Sequence, residues 1–460
     1  MMNGASLQVL DDPNRPLFHF RPPANWMNDP NGTIYHDGFY HLFYQYNPYG
    51  DHWHRMHWGH ARSTDLVNWE HLPLALTPDT ENGEQACWSG CAWIGQDGKV
   101  RLYYTAVLSE DDTRDFEQWA AEGSSDLVTW SRIPQNPLLS RRLRNGLGFR
   151  GDWRDPFLFR YQDKTYMLVA AANSQADLSQ PVIALFSTKG HAALEWDYEG
   201  IFYGRDSSEL PFMECPNLLE VDGTWLLIYS PFRPVEYAVG ELRGSPPAFF
   251  PSTVRKLDYS SEFYATNVYV DTESAPVLVG WIRGFKKGQG WNGCLSLPRT
   301  LHVDSSGVLH QRPIAALESL RRRRQSFDSV QLSPRSATLF SKLPLTMEMI
   351  GTIVRNGADE VRILLFSDNS GAQGIPITVS DFVITVGTVR VPLELAESRQ
   401  PIDFRLHFDR STLEIFFLDG RYVVTSVQYT TAGCNALTVS CRGNGASIEK
   451  MEIFEIEAVW

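Results

Sequence analysis

The hydrophobic and polar positions of the first three hundred residues follow a repeating pattern. Four segments each begin with an Asp-initiated turn and continue with a run of β-branched and aromatic residues, which predicts a hairpin turn leading into a strand. Their first residues are 60, 66 and 59 positions apart. A fifth run, PVLVGWI, lacks the turn. The four segments are DGFYHLFY from Asp37, DGKVRLYYTA from Asp97, DKTYMLVAA from Asp163 and DGTWLLIYS from Asp222.

A second series of segments supports the same period. STDLVNW ends at Trp69, SSDLVTW ends at Trp130, and a looser copy ends at Trp196. Each repeat has room for several short strands and contains no amphipathic segment of helical length. Four-stranded units arranged radially form a β-propeller. We therefore predict an all-β protein with a five-bladed β-propeller over residues 1–318. The competing fold, a parallel β-helix, needs much shorter repeats.

A second region begins where the repeat ends. Residues 319–338 include the basic run Arg321–Arg324 and are interpreted as a linker. Over residues 339–460 hydrophobic positions alternate with others, as at Leu413 and Ile415. Such alternation is typical of antiparallel sheets packed face to face. The sequence therefore predicts a β-sandwich domain after the propeller.

The charge balance excludes some partners. The chain has 41 Lys and Arg against 54 Asp and Glu, a net charge of −13, so it repels phosphate backbones and anionic lipid. We expect no nucleic-acid or membrane partner, and we interpret Arg321–Arg324 as a solvated connector instead of a nucleic-acid or targeting patch. No apolar run approaches the roughly 20 residues that span a bilayer.

The cysteines and the first residues give an expectation about location. Residues 1–14 contain no basic segment followed by an apolar one, so the expectation is a cytoplasmic protein, or a secreted one if a leader was removed. The six cysteines form no zinc-type pairs and are expected to be mostly free thiols. Cys434 and Cys441 are the one pair to check for a disulfide.

Three acidic residues share one position within the repeat. Asp29, Asp155 and Glu214 each lie eight residues before the turn Asp of blades one, three and four, and Ser89 has that place in blade two. Each acid has a nearby proline, which biases its neighbour toward extended geometry. Equivalent positions of innermost strands converge on the channel of a propeller, so we predict that the acids face one another. The alternative is that the three are ordinary acids of surface turns, but such acids would have no reason to share one position within the repeat.

Converging carboxylates serve either a hard metal site or glycoside cleavage. The neighbouring residue types favour sugar chemistry, because Trp rings offer stacking faces and amides and guanidinium groups bind hydroxyls. The histidines nearby mix odd and even spacings, so they cannot share one strand face and predict no metal site. The residues that carry this argument are Trp26, Trp53, Trp88, Trp153, Asn28, Gln45 and Arg154, and the histidines are His52, His54, His57 and His60.

Several motifs together resemble glycoside hydrolase family 32, the family of invertases, inulinases, levanases and fructosyltransferases. The resemblance extends over nearly the whole chain. Its motifs are WMNDPNG at 26–32, FYQYNP at 43–48, WGHA at 58–61, WRDP at 153–156, ECP at 214–216, Asp258, FYA at 263–265, SLPR at 296–299, and, in the second domain, Asp409-Arg410-Ser411 and Glu414-Ile415-Phe416.

The resemblance implies a five-bladed propeller with a β-sandwich and a retaining β-fructofuranosidase that hydrolyses terminal β-D-fructofuranosyl units of sucrose or short fructans. It assigns Asp29 as nucleophile, Glu214 as acid/base and Asp155 as transition-state stabiliser. No metal or organic cofactor is expected, and the partner is a small sugar. Oligomeric state stays open. The predicted substrate contacts are Asn28, Gln45, Trp53, Trp88, Ser89 and Arg154.

These roles carry geometric expectations. Asp29 and Glu214 should have carboxyl oxygens about 5–6 Å apart, as a retaining pair requires. Arg154 should hold carboxylates in place and keep Asp155 ionised. The fifth blade should contribute to the pocket from near Phe263 and Tyr264.

Three alternatives to this function remain. A fructosyltransferase would pass the sugar to another sugar, a binding propeller would have lost catalysis, and a related propeller enzyme would act on arabinose or xylose polymers. The sequence also departs from the family pattern at Cys91, at Asn217 and at Thr266-Asn267. These departures leave the aglycone side, and therefore the choice of substrate, open.

Overall fold

The computed structural model describes residues 12–109, 115–175, 178–206, 208–270, 275–335, 337–340, 342–368 and 371–460. They form two compact units. The first comprises residues 20–257 and 263–308, and the second comprises residues 12–19, 258–262 and 309–460. The expectation about targeting rests on residues 1–14, of which residues 1–11 lie outside the described residues.

Five sheets make up the first unit within the described residues, and consecutive strands of each sheet are antiparallel neighbours. They are the five predicted blades, so the all-β propeller is confirmed. The strands, numbered in chain order, are β1 Asn25–His36, β2 Phe39–Asn47, β3 His57–Ser63 and β4 Trp69–Leu76 in blade one; β5 Ala86–Ile94, β6 Val100–Val107, β7 Phe116–Gly123 and β8 Trp130–Arg132 in blade two; β9 Phe149–Tyr161, β10 Lys164–Gln175, β11 Leu178–Thr188 and β12 Trp196–Gly204 in blade three; β13 Glu214–Val221, β14 Thr224–Ser230, β15 Glu236–Arg243 and β16 Ala248–Lys256 in blade four; and β17 Phe263–Tyr269, β18 Val277–Ile282, β20 Cys294–Leu295 and β21 Arg299–Val303 in blade five, while β19 Trp291–Asn292 joins blade one.

The innermost strands form a closed ring. β1 contacts β5, β5 contacts β9, β9 contacts β13, β13 contacts β17, and β17 contacts β1. The strand β19 pairs parallel with β1, so a segment between the second and third strands of blade five adds a strand to the sheet of blade one. The first residues of the five inner strands therefore meet at one end of the ring.

Two of the four turns that the repeat predicted have the backbone of a tight two-residue hairpin. Asp37 and Gly38, between β1 and β2, both have positive φ, 47° and 82°. Asp222 and Gly223, between β13 and β14, have 49° and 77°. Two consecutive positive φ values define a type I′ turn, whose twist matches that of the flanking strands.

The second unit is a sandwich of two six-stranded sheets in the described residues, one ordered β23-β34-β25-β30-β31-β32 and the other β24-β33-β26-β27-β28-β29. Its core combines residues of both sheets, such as Met349 and Leu406 from one and Ile363 and Val439 from the other. The predicted sandwich is confirmed. Its twelve strands are β23 Arg321–Leu332, β24 Ala337–Phe340, β25 Thr346–Val354, β26 Ala358–Ser367, β27 Ile375–Ser380, β28 Val383–Val386, β29 Val389–Pro392, β30 Ile402–Asp409, β31 Thr412–Phe417, β32 Tyr422–Val427, β33 Ala436–Gly443 and β34 Ala446–Ile456. The short strand β22 Leu309–Pro313 belongs to neither six-stranded sheet.

The interpretation of residues 319–338 as a linker is wrong. Arg321–Leu332 form the edge strand β23 of the sandwich, paired with β34. The basic run is part of this strand, and each of its four arginines forms an ion pair with a glutamate of the same unit. The unit accordingly begins before residue 318, at Leu309. The pairs are Arg321 with Glu348, Arg322 with Glu457, Arg323 with Glu455 and Arg324 with Glu452.

An early segment also belongs to the sandwich. The Asp409 carboxylate accepts hydrogen bonds from the backbone N–H groups of Leu17, Phe18 and His19 at 2.7–3.0 Å. The Ser411 hydroxyl donates to the carbonyl of Asn14 at 2.6 Å. This sandwich motif, which the resemblance singled out, therefore fixes residues 12–19 to the unit.

Helical structure is scarce. The described residues contain one α-helix, α1 Arg141–Gly146, which Ser140 caps by accepting from the Leu143 N–H, and two 3₁₀ turns at Thr80–Asn82 and Ala315–Leu320. Among these residues no helix is both long and apolar enough to cross a bilayer. All six cysteines are buried free thiols, so Cys434 and Cys441 do not form a disulfide.

Candidate active site

Each innermost strand has a shift of register near its first residues. A bulge of this kind bends a strand, leaves a residue unpaired and re-aims its side chain. The five shifts lie in phase around the ring, at the position where the sequence repeat placed the acids. They fall between Met27 and Pro30 in β1, Trp88 and Gly90 in β5, Arg154 and Phe157 in β9, Glu214 and Asn217 in β13, and Tyr264 and Thr266 in β17.

The backbone at three of these bulges is unusual. Asp155, Cys215 and Ala265 have φ of 61°, 48° and 41°. Non-glycine residues rarely adopt positive φ, and such residues cost of order 1–3 kcal/mol each where the surrounding structure enforces them. Pro156 and Pro216 lie in the bulges, where a missing N–H removes no regular ladder bond. The strand ends are therefore shaped to direct side chains into the channel.

The bulged ends line a cavity of about 370 Å³. Asp29, Asp155 and Glu214 all line it, so the structure brings the three predicted acids together. The six predicted substrate contacts line the same cavity, and Tyr264 represents the fifth blade. Its remaining lining residues are Phe116, Asp152, Phe232, Trp281 and Arg283.

The Asp29 carboxylate is held by hydrogen-bond donors on both oxygens. The Ser89 hydroxyl donates to Oδ2 at 2.6 Å, and the Asn28 side-chain amide donates to Oδ1 at 3.1 Å. Gln45 in turn donates to the Ser89 hydroxyl at 2.7 Å, which directs the Ser89 proton toward Asp29. The Cys215 thiol lies 3.6 Å from Oδ2. Asp29 is therefore ordered in one orientation without a positively charged partner among these donors.

Glu214 lies between a cation and a phenol. Arg154 donates to Oε1 at 2.9 Å, and the Tyr264 hydroxyl donates to Oε2. Burial raises the pKa of Glu214 above its ordinary value, and the nearby Asp29 charge acts in the same direction. The Arg154 charge and the Tyr264 hydrogen bond oppose this rise. The net result is a carboxyl group that keeps its proton to higher pH than an exposed glutamate.

Arg154 is shared between acids. Its guanidinium binds Asp152 as well as Glu214, and lies over the Phe212 ring at 4.2 Å. Because Asp152 neutralises part of the Arg154 charge, Glu214 experiences less of the attraction that would lower its pKa. Asp152 thus belongs to the site, although the repeat did not mark it.

The expectation that Arg154 keeps Asp155 ionised is wrong, because Arg154 makes only a loose contact with Asp155. Its Nε lies 3.8 Å from Asp155 Oδ2, a looser contact than the one with Glu214. Burial raises the pKa of Asp155 to about 7; Arg154 lowers it, while Glu214 and Asp29 raise it. One backbone hydrogen bond, from the Cys215 N–H at 3.0 Å, remains on Oδ2. Desolvation outweighs the effect of the guanidinium on the pKa of Asp155, because Arg154 makes its close contacts with Asp152 and Glu214.

Aromatic rings form the solvent-exposed walls of the catalytic cavity. Trp53 is 48% exposed and meets Trp88 edge-on at 6.1 Å between ring centroids, and Phe232 is 53% exposed. These exposed faces suit a sugar ring. The other two predicted stacking residues do not line the cavity. Trp153 is fully buried, and the Trp26 indole donates to Asn28.

The wall residues that sequence reasoning missed come from outside the acid positions. Phe232 follows the second strand of blade four, and Trp281 and Arg283 lie at the end of the second strand of blade five. The Arg283 guanidinium stacks on the Tyr264 ring at 4.1 Å. A search of the residues at and just after the end of each second strand would have found these three.

The departures from the family pattern lie beneath the cavity. The Thr266 hydroxyl donates to Asn217 at 2.7 Å, and the Thr33 hydroxyl donates to Asn267 at 2.6 Å. The Cys91 thiol accepts from a backbone N–H of β9. These side chains bond to one another and to the backbone inside the ring, so they do not form the aglycone wall.

The histidine cluster is explained by local contacts. His41 Nδ1 and His60 Nε2 lie 3.0 Å apart, His57 bonds to the Arg55 carbonyl, and His52 stacks with His54. In the described part of the chain, no group of three or more His, Cys, Asp or Glu side chains is placed to hold a metal ion.

A propeller whose inner strands direct three acids into one aromatic cavity defines a carbohydrate-active enzyme, a glycoside hydrolase. Residues 19–313 match the sequence profile of the glycosyl hydrolases family 32 N-terminal domain, and residues 316–455 match the family 32 C-terminal domain. The chain belongs to glycoside hydrolase family 32.

Known proteins similar to this chain agree with that assignment. A levanase of Bacillus subtilis is 29% identical over all of this chain and 72% of its own length, and a sucrose-6-phosphate hydrolase of Escherichia coli is 29% identical over 90% of this chain and 89% of its own. The structure of a Bombyx mori β-fructofuranosidase mutant in complex with sucrose superposes with a TM-score of 0.79, at 25% identity over 99% of this chain and 96% of that one.

Proposed function

We propose that this enzyme is a retaining β-fructofuranosidase that hydrolyses terminal β-D-fructofuranosyl units of sucrose or short fructans by double displacement. The observation that carries the proposal is the presence of Asp29, Asp155 and Glu214 in one cavity, with the pKa of Glu214 raised. Two carboxyl groups whose environments differ in this way can divide the work of nucleophile and acid.

In the first displacement Asp29 attacks the anomeric carbon of the fructosyl unit. The bond from that carbon to the leaving oxygen breaks as Glu214 donates its proton to this oxygen. The products are a fructosyl ester on Asp29 and the free aglycone alcohol. Hydrogen bonds from Ser89 and Asn28 fix the carboxylate, so little orientation is lost on the way to the transition state.

In the second displacement Glu214, now ionised, removes a proton from water, and this water attacks the same carbon. The ester bond breaks, Asp29 leaves as a carboxylate, and fructose departs with retained configuration. The Arg154 guanidinium stabilises the ionised form of Glu214 between the steps, since it donates to Oε1 at 2.9 Å.

Asp155 has the role of transition-state stabiliser. Because burial raises its pKa to about 7, Asp155 holds a proton part of the time near neutral pH. Ring hydroxyls that donate to the ionised form lower this pKa when sugar binds, and they bind more tightly as positive charge develops on the ring. Binding and ionisation of Asp155 are therefore coupled.

The substrate class follows from the walls and from the similar proteins. Trp53, Trp88 and Phe232 surround a cavity of about 370 Å³, which suits one furanosyl ring with part of its aglycone. The names levanase, sucrose-6-phosphate hydrolase and β-fructofuranosidase all describe proteins that act on fructosyl bonds. These names support a small sugar as the substrate of this chain.

The experiment that tests the function is product analysis on sucrose, 1-kestose, inulin and levan, with and without added sugar acceptor. Equal release of fructose and glucose from sucrose, with fructose as the main product of the short fructans, is expected. Oligosaccharide products in place of free fructose would assign a fructosyltransferase instead. Binding of sucrose without any turnover would assign a sugar-binding propeller.

A further inference from the structure

A second cavity lies at the opposite end of the inner strands. Whereas the acids lie toward the starts of β1, β9 and β13, this distal cavity is lined mainly by the last residues of β5, β9 and β13. Its volume is about 470 Å³, larger than that of the catalytic cavity. Asp155 and Arg160 are five residues apart on β9, at most about 17 Å along a strand, and the two cavities have no lining residue in common. The walls of the distal cavity include Trp93, Phe159, Arg160, Glu220, Trp225 and Val270.

A small space lies between the catalytic cavity and the distal cavity along the inner strands. Its volume is about 30 Å³, and it is lined by Ile34, Cys91, Phe157 and Asn267 among others. A space of this size holds one water molecule and no sugar ring. A ligand in the distal cavity must therefore enter from its own side.

The aromatic walls of the distal cavity leave ring surface available. Trp93 and Trp225 are only partly buried, and Phe159 packs beneath Trp225 with ring centroids 6.2 Å apart. The floor consists of buried leucines of β9 and β13. Partly exposed indoles above an apolar floor form the kind of surface on which the C–H face of a sugar stacks.

Two charged side chains at the rim lack polar partners. Arg160 and Glu220 are exposed, and neither forms a hydrogen bond or an ion pair with the described residues; Arg160 only lies over the Trp93 ring at 5.8 Å. An anionic ligand would be repelled by Glu220, and a cationic one by Arg160. A neutral ring with several hydroxyls can accept from the guanidinium and donate to the carboxylate.

We propose that the distal cavity is a second saccharide-binding site, for a neutral mono- or oligosaccharide that stacks between Trp93 and Trp225 and binds Arg160 and Glu220 through its hydroxyls. The site is separate from catalysis, and the proposal does not depend on the mechanism at Asp29. It gives the enzyme a way to hold a sugar chain at the face of the propeller that lies away from the acids.

The test uses fluorine NMR of the full chain labelled with 5-fluorotryptophan, in the Asp29→Asn background so that the sugar is not consumed. The signals of Trp93 and Trp225, assigned by Trp→Phe substitution, should shift and saturate on titration with sucrose or 1-kestose. The signals of Trp53 and Trp88 report the catalytic cavity in the same titration, so failure of one site is distinguished from failure of the other.

Two double variants then distinguish a specific saccharide site from nonspecific binding of sugar. The double variant Arg160→Ala/Glu220→Ala changes only exposed groups. It should raise the dissociation constant measured from the Trp93 and Trp225 signals at least about fivefold, because two hydrogen bonds to charged groups are lost. The exposed pair Arg243 and Glu241, bonded at 2.7 Å on β15, gives the matched control, and its double alanine variant should change neither pair of signals. Absence of saturation at Trp93 and Trp225, or equal affinity in both double variants, would overturn the proposal.

Discussion

Buried acids of the propeller and of the sandwich behave in opposite ways. In the catalytic cavity, burial raises the pKa of Asp155 to about 7 and also raises that of Glu214. In the sandwich, burial would raise the pKa of Glu348 as well, but Arg321 and Arg405 bind it directly and its pKa falls to about 2. His19, bound by Asp409 and Glu414, has its pKa raised to about 9 against the effect of burial.

The stability contributed by these two kinds of acid therefore depends on pH in opposite directions. Asp155 binds its proton more tightly in the folded state, so the stability it contributes is present below pH about 4 and is lost as the pH rises through about 7. Glu348 has a lowered pKa, so its contribution is present above pH about 4.5 and is lost as the pH falls through about 2. The ionised form of Asp155, which catalysis needs, therefore lowers the stability of the fold, whereas the ionised form of Glu348 raises it.

The largest expected effect is at the nucleophile. Asp29→Asn should lower kcat on sucrose by roughly 10⁴-fold or more, because an amide cannot form the fructosyl ester. Thermal unfolding should be unchanged or shifted slightly upward. Activity within tenfold of the wild-type enzyme would contradict the assignment.

The acid/base should show a more selective loss. Glu214→Gln should lower kcat on sucrose about 10²–10⁴-fold, because the leaving oxygen then receives no proton. A fructoside with a good leaving group should still form the ester, and added azide should restore its turnover. Equal loss on both substrates, with no effect of azide, would give Glu214 another role.

The same substitution in the two regions should have opposite effects on stability. Asp409→Asn should destabilise the protein by about 3–5 kcal/mol, because it leaves His19 buried with half of its charge partners. Asp155→Asn should instead stabilise it by up to about 4 kcal/mol above pH 7, and by progressively less toward pH 4. Denaturant unfolding at pH 5 and pH 8 measures both. A loss of stability from Asp155→Asn at pH 8 would refute the contrast.

The smallest expected effect is on the pKa of Glu214, through Arg154, which Asp152 and Glu214 share. Asp152→Asn should strengthen the hold of Arg154 on Glu214, lower the pKa of Glu214 and move the basic limb of the kcat profile down by roughly half to one pH unit. Asp163→Asn, at an exposed turn on the same blade, is the matched control and should leave the profile in place. An unmoved basic limb in Asp152→Asn would show that Asp152 does not act through Glu214.

The repeat made the fold and the three acids predictable. Turn signals mark the hairpins, and a shared offset of eight residues marks Asp29, Asp155 and Glu214 as equivalent positions. The bulges that aim these side chains were not predictable, because a shift of register depends on how many residues the neighbouring strand provides. Asp152 was missed because it lies outside the shared offset.

Long-range contacts explain the other differences. Arg321–Arg324 were interpreted as a linker because the glutamates that pair with them are distant in sequence: Glu452 and Glu455 lie on β34, Glu457 follows it, and Glu348 lies on β25. Residues 12–19 join the sandwich through Asp409, a contact that only the folded chain provides. The pKa of Asp155 depended on which carboxylates come nearest to Arg154, and neighbouring positions in sequence gave the wrong partner.

The central claim, fructosyl transfer through a covalent ester on Asp29 with Glu214 as acid/base, is tested most directly by the configuration of the product. Sucrose is cleaved in water containing methanol, and the methyl fructofuranoside formed is analysed by carbon NMR before any further reaction. Two displacements predict methyl β-D-fructofuranoside alone. Formation of methyl α-D-fructofuranoside would show a single displacement and contradict the mechanism.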